Sequence, residues 1–270
     1  MSPTSPAPQE TKYPCSIKLL PQDKWIEAAQ KATEINPANA VANHMLLQAA
    51  PPGVIQPEHL AILSQKYWGS GGVRLTVGFL DNPPADLRAR ILSHMNAWND
   101  VAHANVQFVE TATNPQVRIT RTTGSGGGYW SFLGTDILSI PQDQPTMNLD
   151  SFTMETPDSE FHRVVRHETG HTLGFPHEHM RKEIVDQIDP EKAIQLFMTT
   201  QGWSRDKVIA QVLTPLDQSA LIATAQADPQ SIMCYFLPAS IMKAGVAVPG
   251  GSDIDPLDAQ FAAKLYPQPH

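Results

Sequence analysis

A chain of 270 residues has room for one substantial domain, or for one domain with an N-terminal extension. With 41% apolar and 17% charged residues it reads as an ordinary globular sequence, and its formal charge of −8 argues against nucleic acid or an anionic membrane as the main partner. No stretch is apolar for long enough to cross a bilayer, and nothing in the pattern fixes an oligomeric state.

Residues 1–16 are polar and proline-rich, which predicts a mobile tail without the apolar core of a secretory signal. Secretion by a leaderless route is the favoured localisation on this reading, with a cytoplasmic protein as the alternative. Cys15 and Cys234 are too few for a disulfide framework and are expected as two reduced thiols, a single bridge between them being the other possibility. Residues 22–35 predict an amphipathic helix with Trp25, Ala28, Ala29 and Ala32 along one side, and a second short helix is expected over 57–68. The run Gly69-Ser70-Gly71-Gly72 is the clearest boundary, separating a 1–72 extension from a main domain over 73–270.

Val73, Leu75, Val77 and Phe79 alternate with Arg74, Thr76 and Gly78, the period of a strand. A helix over 85–101 follows, with Leu87, Ile91, Met95 and Trp98 as its buried stripe. Further strands are expected around Val106–Phe108 and Val117–Ile119, and over 133–140 and 146–149, giving a sheet of mixed direction. A helix over 158–173 stops at Gly174. The remainder reads as helical: Asp189-Pro190-Glu191 combines a capping residue with proline in the first turn, and further helices are expected over 205–213 and 256–265. The fold class is α+β.

The chemistry lies in His167-Glu168-Thr169-Gly170-His171-Thr172-Leu173-Gly174-Phe175-Pro176-His177. Histidines four apart share one helix face, so His167 and His171 present two imidazoles to a single zinc ion. Glu168 beside them is placed to polarise water rather than to bind metal. Gly174 permits the left-handed turn that returns His177 as a third ligand. The pattern H-E-x-x-H-x-x-G-x-x-H is the metzincin zinc signature, and the methionine turn it anticipates follows at Ser231-Ile232-Met233-Cys234-Tyr235. A structural zinc would usually be closed by a fourth Cys or His and would leave Glu168 without a purpose.

Phe175 and Glu178 around the third histidine, together with the Ser-Ile-Met-x-Tyr turn, resemble the astacin-like branch of the metzincins. So do Gly128-Tyr129-Trp130-Ser131-Phe132-Leu133-Gly134, similar to the segment before the substrate-binding edge strand, and the closing Asp253-Ile254 … Leu265-Tyr266. The resemblance covers about residues 70–267. It departs from animal astacins at Tyr129, which replaces a usual cysteine, at Cys234, which replaces a histidine, and after Arg181, where Lys182-Glu183-Ile184-Val185 stands. It describes a divergent, disulfide-poor relative of microbial type.

The resemblance implies a twisted mixed sheet and an active-site helix above a cleft, with a mainly helical lower subdomain. It implies one zinc per chain on His167, His171 and His177, peptide or protein substrates, and Glu168 as general base. It also implies Met233 as an apolar floor under the metal, and Tyr235 as the residue that stabilises the oxyanion unless it is only a core aromatic. Glu178 meets the mature N-terminus in astacins, and an ordinary surface carboxylate or one that orients His177 is the alternative here. Trp130 and Tyr129 are candidates for the substrate cleft, although sheet packing explains them as well. The astacin motif Phe-x-Gly-Asp is absent upstream, which leaves Cys15 as a candidate latency switch on the zinc, or simply a free thiol. His162 and His179 lack ligand spacing and are expected to be exposed. The competing functions are a catalytically silent, zinc-stabilised binding module and a zinc hydrolase of non-peptide amides.

Overall fold

The alternation at Val73, Leu75 and Val77 forms one strand of a six-stranded sheet in the computed structural model, which describes residues 15–39, 66–216 and 226–269. Across the sheet the order is β1 (Ser16–Lys18), β5 (Tyr129–Phe132), β6 (Met147–Leu149), β4 (Val117–Thr120), β2 (Val73–Phe79) and β3 (Val106–Glu110). All neighbouring strands run parallel except β5 and β6.

The apolar stripe of the expected 85–101 helix is buried as anticipated, but the helix is broken into Ala85–Met95 and Ala97–Asp100. At the break, the Asn96 amide donates to the Phe108 carbonyl at 3.0 Å and accepts from the Phe108 N–H at 2.9 Å, so the kink docks on β3. Leu87, Ile91, Met95 and Trp98 pack with Phe161, Val164 and Val165 of the active-site helix and with the sheet's inner residues in one core. That helix runs from Asp158–Glu160 through a wide π-helical stretch, Phe161–Val165, into Arg166–Thr172.

Below the sheet a second core gathers Ile184, Ile194, Phe197, Val208, Val212 and Leu237. It is built from helices Lys182–Val185, Pro190–Gln201 and Arg205–Val208, the last continuing as π-helix Ile209–Leu213. Asp189 caps the longest of these through the Lys192 N–H, and left-handed Gly202 ends it. The final helix, Pro256–Leu265, opens with a capping box between Asp255 and Asp258.

Three expectations need correction. Residues 133–140 are not a strand but a 3₁₀ helix, Gly134–Ser139, and the strand lies just before it as β5. Gly134 turns with positive φ against the Lys66 backbone, and Asp136 is drawn inward to a buried Lys66 at 2.9 Å, so a long-range ion pair overrides the local apolar pattern. Of the helix expected over 57–68, residues 57–65 lie outside the described residues and 66–68 run without helix, with Tyr67 and Trp68 in the main core. The tail expected to be mobile lies outside the described residues up to position 14, but Cys15 is buried and Ser16 begins β1. The helix Trp25–Ile35 buries Trp25, Ala28 and Ala32.

The Lys66–Asp136 pair ties the chain entering β2 to the turn after β5. Lys66→Met leaves a buried carboxylate without its counter-charge and is expected to cost about 3–5 kcal/mol. Urea unfolding measures this, and adding Asp136→Leu should restore most of the loss.

Candidate metal centre

The active-site helix places His167 and His171 one turn apart, and the reversal at Gly174 (φ 98°) returns His177 to them. The three ring centroids lie 4.5–5.4 Å apart, and all three side chains are buried. Each helical histidine is aimed by a backbone carbonyl. His167 Nδ1–H donates to Ile232 O at 2.6 Å, and His171 Nδ1–H donates to Phe175 O at 2.7 Å. These bonds fix the tautomer and leave both Nε2 lone pairs pointing into the centre.

Burial keeps the imidazoles neutral: His167 is lowered to about 4, and His171 and His177 well below their usual range. His171 Nε2 and His177 Nε2 face each other at 3.0 Å, and His167 Nε2 is buried without a protein partner. Buried, neutral, converging nitrogens fit a borderline-soft cation such as zinc. The Cys15 thiol belongs to the same group, with one ligand atom from each of Cys15, His167, His171 and His177 mutually within 4.8 Å.

Glu168 is fully buried. Its Oε2 accepts the Ser131 hydroxyl at 2.6 Å, while Oε1 has no hydrogen-bond partner. Desolvation pushes this carboxyl up to about 7, against donors from Cys15 and Ser131 that pull it down.

Beneath the histidines lies the methionine turn. Gly170 is glycine because a Cβ there would run into the Met233 thioether and the Trp98 ring, which explains a residue otherwise costly inside a helix. The turn is held on three sides. Ile232 O takes His167 Nδ1–H, Met233 O takes the Glu178 N–H at 2.9 Å, and Asp258 accepts from Ser231 Oγ at 2.6 Å and Ile232 N–H at 2.8 Å. Glu178 Oε1 in turn accepts the Asp228 N–H at 3.0 Å, so its carboxylate braces the loop rather than lying on the surface.

Tyr235 is buried with its ring 4.5 Å from His177, and its hydroxyl donates to the Cys15 carbonyl. His179, expected to be exposed, is fully buried instead. It stacks on Tyr235 at 3.9 Å and donates from Nε2 to Gln211 O at 2.9 Å. His162, also expected to be exposed, is partly buried on the π-helical stretch of the active-site helix itself, between Asp253 at 2.7 Å and Asp158 at 3.3 Å. Trp130 and Tyr129 sit on β5; Trp130 Nε1 donates to Gly126 O at 2.9 Å, and Tyr129 packs edge-on against Phe152. Cys15 and Cys234 are both buried free thiols.

Ser131, Asp258 and Gln211 were not singled out from sequence. Ser131 lies within the edge-strand segment that resembles astacins, the only signal that points to it. Asp258 carries a visible capping-box spacing with Asp255, but its bonds to the methionine turn span 26 and 27 residues.

No family model matches the chain. It is 33% identical over 169 residues to zinc metalloproteinase nas-27 of Caenorhabditis elegans, which is 62% of this chain and 35% of that protein. The chain thus spans about a third of the length of this curated relative. Among solved structures, one of myroilysin superposes with a TM-score of 0.70 at 31% identity, covering 76% of this chain and 97% of that one. A second myroilysin structure gives 0.56 at 32% identity, covering 75% and 86%. The chain belongs to the astacin-like metzincins, a family of zinc metallopeptidases. Zinc is therefore its cofactor, and His167, His171 and His177 are the group that fits it.

Asp258→Ala frees the methionine turn and with it the carbonyl that aims His167. Zinc affinity is expected to fall roughly 10–100-fold, as for other residues that orient ligands. Competition with a chromophoric chelator measures it.

Proposed function

We propose that the chain is an endopeptidase in which His167, His171 and His177 hold zinc and Glu168 is the general base. The observation that carries this reading is a buried, neutral three-histidine group with a buried carboxylate next to it on the same helix. Bound there, zinc supplies Lewis acidity, lowering the pKa of water from about 15.7 towards about 7. Glu168 takes the proton from the attacking water and passes it to the leaving amine. The Ser131 hydroxyl holds Oε2, which leaves Oε1 for that traffic. Tyr235 donates its hydroxyl to the carbonyl oxygen as charge gathers on it. The contact that supports this role is its present bond to a peptide carbonyl, that of Cys15.

The same reading makes residues 1–72 an inhibitory extension, with Cys15 as its switch. Ser16–Lys18 pair with β5, the strand an extended substrate needs, while the Cys15 thiol joins the histidine group and its carbonyl engages Tyr235. The segment blocks the metal, the oxyanion donor and the binding strand together. Substrates are peptides or proteins.

Full-length Cys15→Ser is expected to cut a diverse peptide mixture at least tenfold faster than the unaltered chain, read by mass spectrometry. Equal rates would dismiss the switch. In that background Glu168→Ala should abolish the cuts. Tyr235→Phe should keep zinc and fold but lose turnover by roughly 10²–10³. Zinc content without any cleavage in the Cys15→Ser chain would favour a binding module.

A further inference from the structure

Gln211 stands on the lower wall of the cleft and grips the main chain of the inhibitory segment. Its Oε1 accepts the Ile17 N–H at 3.1 Å, and its Nε2 donates to the Ile17 carbonyl at 3.2 Å. Ile17 is the middle residue of β1, whose other side pairs with β5 in register Ser16↔Trp130, Ile17↔Ser131, Lys18↔Phe132. In an extended chain the N–H and C=O of one residue point to the same side, and those of its neighbours to the other. The segment is thus held between a strand and a single side-chain amide.

The amide is itself held in place. Gln211 lies in the π-helical stretch Ile209–Leu213, a local geometry found frequently at functional sites. Its own carbonyl accepts from His179 Nε2 at 2.9 Å, and His179 stacks on Tyr235. The clamp is therefore connected by direct contacts to the residue proposed to stabilise the oxyanion.

We propose that Gln211 is the main-chain clamp for substrate, taking both polar backbone groups of one substrate residue once Cys15–Lys18 leave the groove. This inference rests on the endopeptidase reading. Any extended peptide lying along β5 presents one residue's N–H and C=O to this wall. A primary amide carries one acceptor and a donor pair, and half a turn about its terminal bond exchanges them. The same side chain therefore serves a strand running parallel to β5, as Ile17 does, or antiparallel to it. Nothing in this contact reads a side chain, so Gln211 sets substrate position and backbone requirement without choosing the sequence.

The test uses the full chain carrying Cys15→Ser and Ile17→Pro. The proline removes the N–H that Gln211 accepts and weakens β1, which releases the groove. A quenched fluorescent decapeptide cut by this chain is compared with copies N-methylated at one backbone position each. Gln211→Leu is expected to lower kcat/KM roughly tenfold, carried mainly by KM, with zinc content unchanged, as befits two lost hydrogen bonds. One N-methylated position should lose a similar factor with Gln211 present and nothing further in Gln211→Leu. Unchanged kcat/KM in Gln211→Leu, or losses that multiply at every N-methylated position, would overturn the clamp. A released chain that binds zinc yet cuts no peptide would instead overturn the endopeptidase reading beneath it.

Discussion

The hydrogen bond from His167 Nδ1 to the Ile232 carbonyl is the contact on which the rest of the site depends. A neutral imidazole has one N–H, and the nitrogen that carries it is lost to a metal. Burial forbids the doubly protonated ring, so the carbonyl decides which nitrogen faces the centre. For His171 the deciding carbonyl, Phe175, is four residues away and comes with the reversal at Gly174. For His167 it is 65 residues away, so the intervening chain must bring Ile232 back beneath the helix. The glycine at 170, the Asp258 carboxylate on Ser231 and Ile232, and the Glu178 N–H on Met233 all serve that return.

A second constraint concerns β5. A sheet edge needs partners for its backbone groups, and β1 supplies them in parallel register. The segment that satisfies this edge also buries Cys15 among the histidines and engages Tyr235. The segment is short, with three residues in β1.

What the sequence revealed and what it hid follow from distance along the chain. The three histidines, Glu168 and Gly174 lie within eleven consecutive positions, so helical spacing alone brings them together. Strand β2 and the buried stripe Leu87, Ile91, Met95 and Trp98 were legible for the same reason, their periodicity being local. The misreadings all involve partners far away. Residues 133–140 carry apolar residues of strand-like spacing, but the Lys66–Asp136 pair and Gly134 turn them into 3₁₀ helix. His179 has no ligand spacing, yet Tyr235 and Gln211 draw it inside. Gln211 meets Ile17 across 194 positions, and no local pattern could mark it.

The fold must also stand without disulfides, since both thiols are free. Arg118 shows how buried charge can tie distant loops together. It is 1% exposed, and its donors reach the carbonyls of Pro115, Gln116, Ile137, Ile140 and Gln144 at 2.8–3.3 Å. Five N–H groups meet five carbonyls, so the desolvated guanidinium leaves no donor unpaired. It thereby joins β4 to the 3₁₀ helix and the loop before β6, around the strand that borders the cleft. A disulfide in that place would restrict the unfolded chain as well as the native one. The guanidinium acts only in the folded state, where its bonds to carbonyls of fixed position make the local geometry all-or-none. On the proposed exchange of β1 for an extended substrate along β5, rigidity behind the strand lets the exchange proceed without disturbing the sheet.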